Sequence, residues 1–105
     1  MSDAYVYVPE SIREKLPRLG AAENDPNPTV WIRLFTPDAN WTWYIAGFDG
    51  EDRCFGLVVG HAAELRYFLL SDIACARGGR GLPVERDLFF RPKPLSEVRA
   101  RHVRA

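Results

Sequence analysis

The sequence predicts an α+β fold organised around an antiparallel β-meander of four to five strands with short flanking helices. Residues 29–35, 41–48 and 53–59 are rich in β-branched and aromatic side chains, and 29–35 alternates between two faces. The connections Thr36-Pro37-Asp38-Ala39-Asn40 and Asp49-Gly50 are short and made of turn residues, which suits antiparallel hairpins rather than crossovers. Capping signals precede short apolar-periodic runs on both sides of this block.

Taken in order, residues 11–19 read as a short helix. Ser11 stands at the N-cap with Glu14 three residues later, and Ile12, Leu16 and Leu19 share one face. Pro17 removes a donor in the last turn, so the helix should break there and end by Gly20. Residues 23–28, with Asn24, Asp25, Pro26, Asn27 and Pro28, form a loop. Strands follow at 29–35, 41–48 and 53–59. A two-residue Asp49-Gly50 loop would place Phe48 opposite Glu51, Ile45 opposite Cys54, Trp43 opposite Gly56 and Trp41 opposite Val58. Gly60-His61-Ala62-Ala63 turns into a strand at 64–70, and Ser71 reads as the N-cap of a helix over 72–77. An extended piece at 87–91, a PPII-like Pro92-Lys93-Pro94 and a helix over 95–103 with Ser96 as its cap complete the chain.

The 105 residues suit a single domain over 1–105, with 1–10 and 99–105 expected to be flexible. A hydrophobic content of 47% against 27% charged residues is that of a chain with a core. No apolar run approaches the ~18 residues of a membrane span. The first residues lack the basic-then-apolar pattern of a signal peptide. Two widely separated cysteines, Cys54 and Cys75, are too few for a disulfide framework. The expected location is the cytoplasm. Charge is balanced overall but unevenly spread. Residues 1–76 hold six basic and eleven acidic side chains, and residues 77–105 hold eight and three. Either the two parts face each other in the fold or the basic part meets an acidic partner.

Among polar candidates, Asp38 and Asn40 flank a turn, where their oxygens can accept backbone N–H groups or rim an aromatic patch. Glu85, Arg86 and Asp87 are adjacent charges beside the apolar Leu88-Phe89-Phe90, an arrangement that calls for an ion pair. Asp49, Glu51 and Asp52 lack the spacing of a calcium loop. His61 and His102 share no ligand spacing with the cysteines, so no metal and no cofactor is expected. Nothing has the pattern of a catalytic triad, and Cys54, inside a strand, reads as a buried apolar residue. Strand alternation sends Trp41 and Trp43 to the core and Thr42 and Tyr44 to the other face, leaving Tyr44 as the aromatic binding candidate.

Three segments together carry a resemblance: Phe35-Thr36-Pro37-Asp38-Ala39-Asn40-Trp41-Thr42-Trp43-Tyr44, Phe55-Gly56-Leu57-Val58-Val59-Gly60, and Gly81-Leu82-Pro83-Val84-Glu85-Arg86-Asp87-Leu88-Phe89-Phe90. The chain resembles, over roughly 16–98, a bacterial family catalogued as domain of unknown function 2958. Its members are small proteins often carried on plasmids, phages and integrative elements. It departs from the pattern at Leu70 and over Asp72-Ile73-Ala74-Cys75, where members are more acidic. The resemblance implies an accessory role for a mobile element and supplies no catalytic residues.

The expected function is therefore non-catalytic protein binding, such as inhibition of a host defence system of the anti-CRISPR or antirestriction type. Tyr44, Asp38, Asn40, Glu85, Arg86 and Asp87 are the candidate binding residues. One alternative is nucleic-acid binding through Lys93, Arg99, Arg101 and Arg104, with His102 among them. The other is a small enzyme using carboxylates near Asp38 and Glu85. No membrane partner is expected, and the oligomeric state is open.

Overall fold

The computed structural model of the chain describes residues 7–102. Its architecture is α+β, with a five-stranded antiparallel sheet, a two-stranded sheet and, among the described residues, four short helices. In chain order these are α1 (Glu10–Arg13), α2 (Leu19–Asn24), β1 (Thr29–Val30), β2 (Ile32–Phe35), β3 (Thr42–Phe48), β4 (Arg53–Val59), β5 (Ala63–Leu69), α3 (Leu70–Cys75), β6 (Glu85–Arg86), β7 (Lys93–Pro94) and α4 (Leu95–His102). The large sheet runs β5-β4-β3-β2-β6, so the predicted meander is present and β6 adds itself to the β2 edge. The small sheet pairs β1 with β7. No helix among the described residues is long and apolar enough to cross a membrane.

The N-terminal helix differs from expectation. Pro9, not Ser11, holds the N-cap position, no side-chain cap bond forms, and α1 is a single turn. A second helix, α2, follows where Gly20 was expected to end the first. Pro17 separates the two, and its carbonyl accepts the Phe48 N–H at 3.0 Å. Glycine costs about 1 kcal/mol inside a helix, but α2 is held by close packing. A Cβ at Gly47 on β3 would stand only 2.7 Å from the Ala22 Cβ.

The β3–β4 hairpin is shifted from the two-residue reading. Phe48 pairs with Cys54, Ile45 with Gly56 and Trp43 with Val58. The loop therefore spans residues 49–52, and Asp49 explains why. Its Oδ1 accepts the N–H groups of Glu51, Asp52 and Arg53 at 2.8, 2.9 and 3.1 Å, while Gly50 takes φ +93°. A bulge between Ile45 and Gly47 then returns Phe48 to the face of Ile45. At that bulge the Tyr44 carbonyl oxygen would lie 1.7 Å from a Cβ on Gly56, so only glycine fits.

Both faces of the sheet are covered. On one, Ile32, Leu34, Ile45, Phe48 and Cys54 pack with Tyr7, Val8, Val84 and the α3 residues Leu70 and Ile73. On the other, Tyr44 and Leu57 pack with Val30 and the α4 residues Leu95 and Val98, and Phe55 packs on Ala22. Double coverage overturns the expected assignment of the aromatics. Tyr44 is buried, Trp43 is half-buried, and Trp41 is exposed beside Gly60, whose missing Cβ makes room for the indole.

Three further corrections concern termini of elements. Ser71 lies inside α3 rather than capping it; its N–H and hydroxyl both bond the Asp52 carboxylate, at 2.8 and 2.6 Å. Residues 87–91 are not extended but turn back on themselves after β6. Ser96 is likewise inside α4, and its N–H is accepted by Asn27 Oδ1 at 2.9 Å, a cap delivered by the 25–28 loop.

Candidate functional site

An open cleft of about 420 Å³ lies beside the Tyr44 face of the sheet. Arg33 on β2 pairs with Tyr44 on β3, so their side chains rise from the same face. Tyr44 is held from two sides. Its hydroxyl lies 2.7 Å from His102 Nε2 on α4, and its ring packs at 5.9 Å from that of Phe90. Val98 closes the base, and Lys93 sets its ammonium 5.0 Å from the centre of the Phe90 ring.

Asp87 builds the outer wall. Its backbone N–H bonds the Arg33 carbonyl at 2.9 Å, and its Oδ2 pairs with the Arg33 guanidinium at 3.2 Å. The remaining oxygen, Oδ1, accepts the Phe89 N–H at 2.9 Å, folding residues 87–90 into a turn. That turn lifts Leu88 and Phe89 off the domain surface, leaving them 70% and 92% exposed. Phe89 is a ridge between the cleft and a second hollow lined by Glu85, Arg86 and Leu88.

The cleft is cationic. Arg33, Arg91, Lys93 and Arg101 line it, against the single carboxylate of Asp87, which Arg33 already engages. Arg91, Lys93 and Arg101 take part in no described ion pair. At His102, partial burial first and then the nearby positive charges of Arg33 and Arg101 lower the pKa, favouring the neutral imidazole.

The structure thus brings together residues that the sequence kept in separate lists. Tyr44 and Asp87, read as protein-binding candidates, share the cleft with Lys93 and Arg101, read as nucleic-acid candidates. Glu85 and Arg86 line the adjoining hollow. Arg99 is half-buried and outside the cleft, and Arg104 lies outside the described residues. Asp38 is occupied elsewhere. Its Oδ2 accepts the Arg80 N–H at 2.6 Å and the Leu82 N–H at 3.3 Å, with Oδ1 buried against Gly78, so it pins the 78–82 loop to the β2–β3 turn. Asn40 is exposed in that same turn.

Sequence reasoning missed Arg33, Phe89, Phe90 and Arg91. The signal was present in Asp87-Leu88-Phe89-Phe90. Three consecutive apolar residues after an Asx-turn aspartate and before Arg91-Pro92 cannot all face one core. Of the thiols, Cys54 is buried, and burial together with Asp49 and Asp52 pushes its pKa far up, so it is no nucleophile; Cys75 is exposed. No group of three or more His, Cys, Asp and Glu among the described residues could hold a metal ion.

The family described as protein of unknown function, DUF2958, matches residues 8–103. No curated protein and no solved structure matches the chain.

Proposed function

This chain belongs to the DUF2958 family, and we propose that it is a non-catalytic binding protein that engages an acidic segment of another protein through the cleft and the Leu88–Phe89 ridge. One observation carries the reading: an almost fully exposed phenylalanine stands beside Arg91, Lys93 and Arg101, which pair with no carboxylate among the described residues. Covering such a side chain contributes roughly 1.5–3 kcal/mol, and aromatic and arginine side chains dominate interface hot spots. The surrounding cations select an acidic surface and speed its capture. The resemblance to proteins of mobile elements supplies the setting. In that setting the proposed role is inhibition of a host defence complex in the cytoplasm by occupying its surface.

A nucleic-acid reading is favoured by one observation, that Lys93 and Arg101 share the cleft with an exposed aromatic ring, the combination that tracks single strands. The zero net charge and the exposed Leu88 favour the protein partner.

Affinity capture from a bacterial host lysate separates the two. The wild type should recover a partner that salt releases, Phe89→Ser and Arg101→Glu should lose it, and Trp41→Ser should keep it. Recovery of nothing, or equal recovery by all variants, would reject the protein-binding reading. Gel shifts of single-stranded DNA or RNA, steeply salt-dependent and lost in the same two variants, would establish the nucleic-acid reading instead.

A further inference from the structure

Strand β5 ends the large sheet, with β4 on one side and no described strand on the other. Its seven residues stay in unbroken register with β4, from Ala63 opposite Val59 to Leu69 opposite Arg53. In an antiparallel pair, alternate residues direct their N–H and C=O toward the neighbour. Two bonds just beyond the strand ends give the phase. The Gly60 N–H bonds the Ala62 carbonyl at 3.1 Å, and the Leu70 N–H bonds the Asp52 carbonyl at 2.9 Å. Extending that phase, Glu64, Arg66 and Phe68 direct their backbone groups toward β4. Ala63, Leu65, Tyr67 and Leu69 direct theirs to the open edge.

The side chains on this edge form a pattern that complements itself. Glu64 and Arg66 lie on one face and are salt-bridged to each other while both are exposed. Leu65 and Tyr67 lie on the opposite face, 40% and 45% exposed. A single edge cation would repel a second copy of the strand, which is how many edges are protected. A Glu–Arg couple two residues apart does not.

We propose that β5 pairs antiparallel with β5 of a second copy of this chain, on a two-fold axis through Leu65. In that register the two Leu65 residues exchange both backbone bonds. Each Glu64 falls opposite Arg66 of the other copy, at non-hydrogen-bonded positions where Cα atoms approach to about 4.5 Å and side chains meet most closely. Tyr67 falls opposite Ala63. The neighbouring registers are worse. An axis through Glu64 or Arg66 sets like charges against each other, and an axis through Tyr67 leaves Arg66 facing Phe68. The contact is isologous, so it closes as a dimer and joins two sheets into one. It uses none of the cleft residues and does not depend on the binding role proposed above.

Sedimentation velocity of the full chain over a concentration series provides the test. The wild type dimerises. Glu64→Arg and Arg66→Glu, each placing like charges opposite one another twice, weaken the dimer at least about tenfold, and the double swap Glu64→Arg/Arg66→Glu restores it. Leu65→Pro removes a donor that points away from β4, so circular dichroism stays native while the dimer is lost. A wild type that remains monomeric at the highest concentration, single variants that dimerise as tightly as the wild type, or a double swap that fails to restore pairing would each overturn the proposal.

Discussion

The Tyr44 hydroxyl and His102 Nε2, 58 residues apart in sequence, lie 2.7 Å apart and join the centre of the sheet to the last helix. Tyr44 is 4% exposed, so its ring is core and its hydroxyl is the only polar group it carries toward the cleft. Tyr44→Phe keeps the ring and drops that bond. Urea denaturation should show a loss of about 1 kcal/mol, whereas Tyr44→Ala should lose about 3–5 kcal/mol through the cavity it leaves.

The histidine of that pair makes stability respond to pH. The folded pKa of His102 lies below its ordinary 6.5, through burial and the repulsion of Arg33 and Arg101. On acidification the unfolded chain therefore takes up this proton first. The contribution is complete above about pH 6.5 and is lost as pH falls through the folded pKa. Thermal midpoints measured from pH 7.5 down to 5.5 should fall in the wild type and fall less in His102→Gln. Identical profiles would contradict the assignment.

Glycine positions separate rigid from yielding contacts. Gly56→Ala drives a methyl into the Tyr44 carbonyl at the bulge, where backbone on both strands must move. It should cost about 3 kcal/mol or more, or leave the protein insoluble. Gly60→Ala meets first the Trp41 ring, which is 40% exposed and can swing out. Its cost should stay below about 1 kcal/mol, with a change in tryptophan emission.

Asp49 is the acceptor that sets the hairpin. Burial pushes its carboxyl up, but the N–H groups of Glu51, Asp52 and Arg53 and the charge of Arg53 outweigh that and hold it below its ordinary value. Asp49→Ala should cost about 1 kcal/mol in chemical denaturation, and Asp49→Asn should recover part of it, because the amide oxygen still accepts.

The strands β3, β4 and β5 were legible within a residue or so, because their apolar and β-branched density survives any neighbouring context. The α+β class was legible for the same reason. The hairpin register was not. Asp49-Gly50 announces a turn, but whether that turn closes in two residues or four depends on how many N–H groups one carboxylate gathers. The candidate site was legible only in pieces. Asp87, Lys93 and Arg101 announce charge, yet nothing local says that they meet around Tyr44.

By itself, then, the sequence determined strands β3, β4 and β5 and roughly where the chain turns between them, through side-chain period and backbone preference, which act over a few residues. Only the tertiary structure decided which aromatic is buried and which cations converge. With helices on both faces, the alternation that sorts Trp41, Trp43 and Tyr44 no longer separates inside from outside. Burial then depends on where α4 and the 87–91 turn come to rest. The cleft is likewise a product of long-range pairing: β1 with β7, Arg33 with Asp87, and Asn27 capping α4. Each of these contacts joins residues more than fifty positions apart, beyond the reach of any local pattern.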